Sequence, residues 1–247
     1  MPYFRHDDLQ FYFEEHGSGR PFVFSHGLGG HLDRSLELTH RLPNIHLVVY
    51  DNRAHGRTGP IGNPDKLTFE AMANDMAALL DYLHLPRAFV GGVSMGAGIS
   101  LAFALRYPQR VKALILNRPA WLDAPNPPNL SILTVIGRLV ERFGLERAGS
   151  EFEQTEPYQD LERSCPGSAK SLTDLFMNQN TDALVASLRA IPASAPVDSL
   201  DRLPLLASRH WCSGIETIPR THSSLRRPWP RQFPGPDSMS FRPSRKT

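Results

Sequence analysis

Cysteine is scarce in this chain: Cys165 and Cys212 are the only two in 247 residues. Two thiols cannot build a disulfide framework, so the fold has to rest on a buried core. Long apolar runs are missing as well. No stretch of 18 apolar residues occurs, which excludes a hydrophobic membrane-spanning helix on sequence grounds. The first residues, Met1-Pro2-Tyr3-Phe4-Arg5-His6-Asp7-Asp8, lack the apolar stretch of a secretory leader, so a cytoplasmic location is expected. Neither sign of charge dominates, with a formal net charge of +2. Residues 208–247 carry eight Lys or Arg against two acids, whereas the first 207 carry 19 against 23. The basic character therefore belongs to the tail, which shows neither helical periodicity nor interleaved basic and aromatic residues. Nucleic-acid and membrane partners are not expected. No metal, nucleotide or flavin motif is present, so no cofactor and no metal site is expected. An apolar content of 40% and a charged content of 21% suit one globular domain with a large core.

What is present is organised around Gly92-Val93-Ser94-Met95-Gly96. The apolar run Ala88-Phe89-Val90-Gly91 precedes it, and small and apolar residues from Ala97 to Leu105 follow it. That order reads strand, tight turn, helix. A serine held at such a turn needs neighbours without bulk, which Gly92 and Gly96 supply. Its hydroxyl then stands clear of the sheet at the start of a helix, whose dipole favours developing negative charge. Ser94 is accordingly the candidate catalytic nucleophile.

The rest of the chain fits around that turn. Short strands are predicted over 3–6 and 10–14, with a turn at Gly17-Ser18-Gly19-Arg20. A buried strand over 21–25 runs into His26-Gly27-Leu28-Gly29-Gly30. A helix over 32–42 and a strand over 46–50 come next. Thr68 can cap a helix running to about Leu83, with Phe69, Met72, Met76, Leu79, Leu80 and Leu83 on one face. After the serine turn, a helix from Met95 to about Tyr107 stops at Pro108, and a strand over 111–116 leads out to Asp123. Strands alternating with helices imply a doubly wound, mostly parallel sheet, with ligands at the carboxyl ends of its strands. Leu28, Ser94 and Asp123 all follow such ends. Pro125, Pro127 and Pro128 mark a linker, beyond which the pattern to about Ile191 is helical, broken near Gly144, Gly149, Pro157 and Pro166.

The G-x-S-x-G turn, the strand ending in His26-Gly27, and Asp51-Asn52-Arg53-Ala54-His55-Gly56-Arg57-Thr58 together resemble the α/β-hydrolase fold family over residues 3 to about 205. In the last motif Ala54 stands where the family usually has Gly, and Thr58 where it has Ser. The resemblance implies an α/β fold with a helical cap inserted over about 119–195. It implies backbone N–H groups of Leu28 and Met95 as the oxyanion hole, a structural rather than catalytic His55, and Asp123 as a possible acid. The implied activity is hydrolysis of a carboxylic ester, lactone or similar acyl bond of a small-molecule substrate through a Ser94 acyl-enzyme. Epoxide hydrolases and dehalogenases of this fold use Asp at the turn, so Ser94 argues against them. Carbon–carbon bond hydrolases and cofactor-free haloperoxidases share the serine motif, and a truncated, non-catalytic product is the rival from outside enzymology. Oligomeric state is not legible.

A base and its orienting acid should follow in the order Ser, acid, His. They are not recognisable. Beyond Leu206 the chain reads Ala207-Ser208-Arg209-His210-Trp211-Cys212-Ser213-Gly214-Ile215-Glu216-Thr217, with six prolines after residue 218. His210 and His222 are the only histidines after the serine turn, and neither has a strand-to-loop context. Reading from the third base of each codon gives a different result. His210 into Trp211 must encode Leu, and Trp211 into Cys212 must encode Val. The following codons allow Leu-Gly-Asn-Arg-Asp-Asp-Pro, which is similar to the missing strand and acid loop. The expectation is a frameshift close to residue 206, with residues 1–206 forming the hydrolase-like domain and 207–247 a disordered tail without a strand.

Overall fold

The computed structural model describes residues 2–39, 42–177, 180–206 and 211–212. Two antiparallel strands, β1 (Tyr3–His6) and β2 (Leu9–His16), open the chain, followed by β3 (Arg20–Ser25), helix α1 (Leu32–Thr39) and β4 (Ile45–Tyr50). Helix α2 (Phe69–Tyr82) leads to β5 (Ala88–Val93), which turns into helix α3 (Met95–Arg106) and then β6 (Val111–Asn117). The strands lie in the order β1-β2-β4-β3-β5-β6, and a two-residue β7 (Trp211–Cys212) pairs at the far edge. From β4 onward the pairing is parallel, while β1 and β2 join antiparallel. This is the doubly wound, mostly parallel sheet that the alternation of elements predicts.

Strand periodicity divides the core. Phe22, Phe24, Leu47 and Val49 point to the face covered by Leu32 of α1, whereas Val23, Val48 and Tyr50 point to the opposite face, with α2 and α3. Successive side chains of a strand alternate between faces, so these adjacent residues of β3 and β4 serve two different layers. The α2/α3 layer is the larger. It joins Phe69, Met72 and Met76 of α2 to Met95, Ile99 and Phe103 of α3, all fully buried. Thr68 caps α2 as predicted, its side chain accepting the Ala71 N–H at 3.2 Å. On the α1 face, Phe89, Val93 and Ile115 of β5 and β6 are only partly buried.

The chain passes from β3 to β4 on one side of β3 and later returns to place β5 on the other. The crevice at the carboxyl ends of β3 and β5 is therefore the switch point of the sheet, the place where ligands bind in open α/β folds. His26–Gly30 and Ser94 both emerge there.

After β6 the described residues form the α-helices α4 (Ser131–Glu153), α5 (Glu156–Ser164), α6 (Pro166–Thr173) and α7 (Thr181–Ala190). Gly144, at φ 72°, kinks α4 where a break is predicted, but α4 runs on through Gly149. Pro157 and Pro166 sit in the first turns of α5 and α6, where a missing N–H is harmless. At α1 the described helix ends at Thr39, short of the predicted 42. The β7 pair departs from the expectation that no strand follows residue 206. Its backbone pairs with β6 at Leu114 and Ile115. Edge pairing uses backbone groups that every non-proline residue carries, so it does not require a strand-like side-chain pattern. His210, His222 and the rest of the predicted tail lie outside the described residues.

Candidate functional site

Ser94 sits between β5 and α3 with φ 54° and ψ −111°, a left-handed conformation rare for a residue with a side chain. Its own N–H donates to the Asn117 carbonyl of β6 at 3.0 Å, and its carbonyl accepts from Gly98 N–H at 3.2 Å. The flanking glycines are required by contact. A Cβ on Gly96 would lie 2.6 Å from the His26 carbonyl oxygen and closer still to that of Ser25, while one on Gly92 would lie 2.8 Å from the Gly96 Cα. The end of β3 and the first turn of α3 thus approach to a distance that only hydrogen permits. The serine itself is half-buried, less open than a fully exposed turn.

The His26–Gly30 loop approaches this turn closely. A Cβ on Gly27 would lie 3.5 Å from the Ser94 Cβ. Among the described residues, neither the Leu28 N–H nor the Met95 N–H has a hydrogen-bond partner. Two backbone donors beside Ser94 are thus uncommitted. From above, the turn 174–176 that follows α6 covers the loop: a Cβ on Gly29 would run into the Leu175 side chain.

Two buried histidines hold the loop in place. His55 Nε2 accepts the Gly29 N–H at 3.0 Å, and its Nδ1 donates to the Arg53 carbonyl at 2.8 Å. His26 Nε2 accepts the Asn52 N–H at 3.0 Å, and its Nδ1 donates to the Gly27 carbonyl at 2.7 Å. In both rings the partners fix the neutral tautomer. Burial holds both below the usual imidazole range, His26 at about 4 and His55 at about 3. Neither ring has a nitrogen left to take a proton from Ser94, so His55 is structural, as the sequence motif implies. Asn52, which the sequence did not single out, ties the network to β3 through reciprocal hydrogen bonds with Ser25 at 3.0 and 3.2 Å.

The remainder of the Asp51–Thr58 segment is a brace. Asp51 accepts from the N–H groups of Leu32 at 2.7 Å and Arg57 at 2.8 Å, and burial pushes its carboxyl up against the pull of those donors. Arg53 forms a buried bidentate pair with Asp75 of α2. Ala54, buried at φ 58°, explains why glycine suits this position. Asp123, by contrast, lies in the bends after β6, exposed and unpaired with any histidine among the described residues.

Arg118 also escaped the sequence reading. It follows Asn117 directly, at φ 48°, and its Nη2 donates to Ser168 Oγ of α6 at 2.7 Å, joining the end of β6 to α6. Ser168 Oγ lies 3.1 Å from the half-buried Cys165 Sγ. No helix of the described residues is long and apolar enough to cross a membrane.

Comparison with known proteins agrees with this architecture. Residues 20–161 match the model of the alpha/beta hydrolase fold. A protein of Azorhizobium caulinodans, whose name assigns it provisionally to carbamate hydrolysis, is 36% identical over 117 residues, 47% of this chain and 43% of that protein. The monoacylglycerol lipase of Mycolicibacterium smegmatis is 30% identical over 145 residues, 55% of this chain and 51% of the lipase. The matches therefore span about half the length of these curated relatives. Among solved structures, a thermophilic esterase of Thermogutta terrifontis, described with malate bound, superposes with a TM-score of 0.63 at 27% identity, covering 83% of this chain and 74% of the esterase. With more than half of its length matched to the family model, and with the sheet order and serine turn described above, the chain belongs to the α/β hydrolase fold family.

Proposed function

We propose that this protein is a serine hydrolase acting on a carboxylic ester, lactone or similar acyl bond, with Ser94 as nucleophile. The observation that carries the reading is the strained Ser94 turn facing two uncommitted backbone donors, Leu28 N–H and Met95 N–H. Ser94 Oγ would attack the acyl carbon, and the carbonyl oxygen would become an alkoxide between the two N–H groups. Collapse would expel the alcohol and leave an acyl-Ser94 ester for water to cleave. Esterase and lipase relatives support the substrate class.

A serine hydroxyl needs a base, and His26 and His55 are both committed to structure. The reading frame supplies the second half of the proposal: the acid and the histidine belong to the alternative frame beyond residue 206. One feature favours it. The α1 face of β5 and β6 is incompletely covered, with Phe89, Val93 and Ile115 half-buried where a parallel sheet normally carries a helix. The chain as written is then an impaired enzyme. Serine proteases stripped of their triad keep only roughly 10³–10⁴ over the uncatalysed reaction.

The test compares the written chain with one carrying a single-base insertion or deletion near codon 206, on short p-nitrophenyl esters and with a fluorophosphonate label. Turnover and labelling should appear in the repaired chain and vanish with Ser94→Ala. Full activity in the written chain would mean that a residue outside the described part completes the site in this frame. Undiminished turnover in Ser94→Ala would move the nucleophile elsewhere.

A further inference from the structure

We propose that Arg118 recognises a carboxylate on the substrate, so that the preferred ester carries a free acid group, as in a half-ester of a dicarboxylic acid. This rests on the Ser94 reading for the position of the scissile bond. Three observations support it. Strands β5 and β6 are parallel with Val93 opposite Asn117, so the next residues, Ser94 and Arg118, leave the sheet side by side, and Ser94 N–H is bonded to the Asn117 carbonyl at 3.0 Å. Both residues hold left-handed backbone, at φ 54° and 48°. A long charged side chain kept at a strained position beside the nucleophile is the kind of outlier that functional sites retain.

The second observation is where the side chain goes. Its guanidinium reaches Ser168 of α6 at 2.7 Å, and the turn after α6 carries the Leu175 that lies against Gly29 of the oxyanion loop. Arg118 thus links the strand end beside the serine turn to the helix that precedes the turn covering that loop.

The third is unspent charge. Among the described residues Arg118 has no carboxylate within ion-pair distance, and it is half-buried. The other arginines without such a partner, Arg5, Arg20, Arg87, Arg138 and Arg142, are all exposed. A guanidinium has five N–H donors in a rigid fork, and Ser168 occupies one of them. A partly desolvated cation of that shape is matched by a carboxylate accepting two parallel hydrogen bonds.

The test uses the Ser94→Ala chain, in which esters can bind without turnover, and calorimetric titration with monoethyl glutarate and with neutral diethyl glutarate. The monoester should bind at least about tenfold tighter than the diester. Arg118→Gln should abolish that preference, and Arg118→Lys, which keeps the charge without the fork, should retain part of it. Ser168→Ala, which removes only the cap contact, should leave the preference in place. Equal affinity for the two esters, failure of both to bind, or unchanged discrimination in Arg118→Gln would overturn the proposal. Loss of discrimination in Ser168→Ala equal to that in Arg118→Gln would reduce Arg118 to a cap clasp and overturn it as well. Fluorophosphonate labelling of Ser94 is scored separately. A chain that fails to label yet prefers the monoester through Arg118 separates a failed nucleophile from a correct recognition residue.

Discussion

Replacing glycine by alanine should have opposite effects at two positions of this protein, and the difference measures how tightly the serine turn is packed. At Gly96 the new methyl would stand 2.6 Å from the His26 carbonyl oxygen and nearer still to that of Ser25. Carbon does not approach backbone oxygen closer than about 3 Å, so α3 must retreat from the end of β3. That end is held by the Ser25–Asn52–His26 hydrogen bonds and cannot yield cheaply. Overpacking against rigid backbone costs about 3 kcal/mol, a large share of a total stability of about 5–15 kcal/mol. At Gly137, inside α4, the nearest atom to a new methyl is the Leu188 Cβ at 3.8 Å, an ordinary contact. There alanine should stabilise by about 0.5–1 kcal/mol, because glycine loses more backbone entropy in a helix. Urea unfolding followed by fluorescence of buried Trp121 gives the readout. With a slope of about 3 kcal/mol per molar, Gly96→Ala should lower the midpoint by about 1 M and Gly137→Ala should raise it by about 0.2–0.3 M. Gly96→Ala should also weaken labelling of Ser94, since moving the first turn of α3 displaces the Met95 N–H. A Gly96→Ala midpoint within 0.2 M or so of the parent, or a similar loss at Gly137, would refute the packing argument.

The buried histidines make stability fall with acid. Each has a folded pKa below its unfolded value of 6.5, His26 about 4 and His55 about 3, so their contribution is full above pH 6.5 and drains away as pH drops through that window. The losses at the acid end are about 3 and about 5 kcal/mol. Asp51, pushed up by burial, takes up a proton on the folded side and offsets part of this. Urea midpoints should decline from pH 6.5 to 4.5, and a midpoint that rises on acidification would sink the account. Arg53→Ala should cost about 3–5 kcal/mol by leaving Asp75 buried without its bidentate partner, with only His6 Nε2 at 3.7 Å nearby. The double variant Arg53→Met with Asp75→Leu should cost less than the single one, and strict additivity in a double-mutant cycle would contradict the pairing. Ser94→Ala should keep the parent melting temperature within a degree or two, because the methyl tolerates the same backbone strain as the serine; a loss of several degrees would show that the hydroxyl has a structural partner.

Local rules made much of this molecule readable from its sequence. The continuous apolar run over 21–25, the Thr68 cap and the one-sided apolar stripe of α2 depend on neighbours within a few residues, and the elements formed where those rules place them. Gly92 and Gly96 announced a turn without room, and the turn is that tight. Tertiary structure decided what no short window contains. The motif implied a structural His55, but the reason, the Gly29 N–H 26 residues earlier in the chain filling its second nitrogen, is tertiary. Asp123 follows a strand end as an acid would, yet the path of the loop leaves it in solvent. Arg118 drew no notice because a lone arginine after a strand has no signature; its meaning comes from the parallel register that sets it beside Ser94 and from the helix, 50 residues on, that receives its hydrogen bond. Sequence pattern records propensity and burial, which are local averages. The partners of a polar atom are set by the three-dimensional path of the chain, and in this protein those partners separate a structural residue from a reactive one.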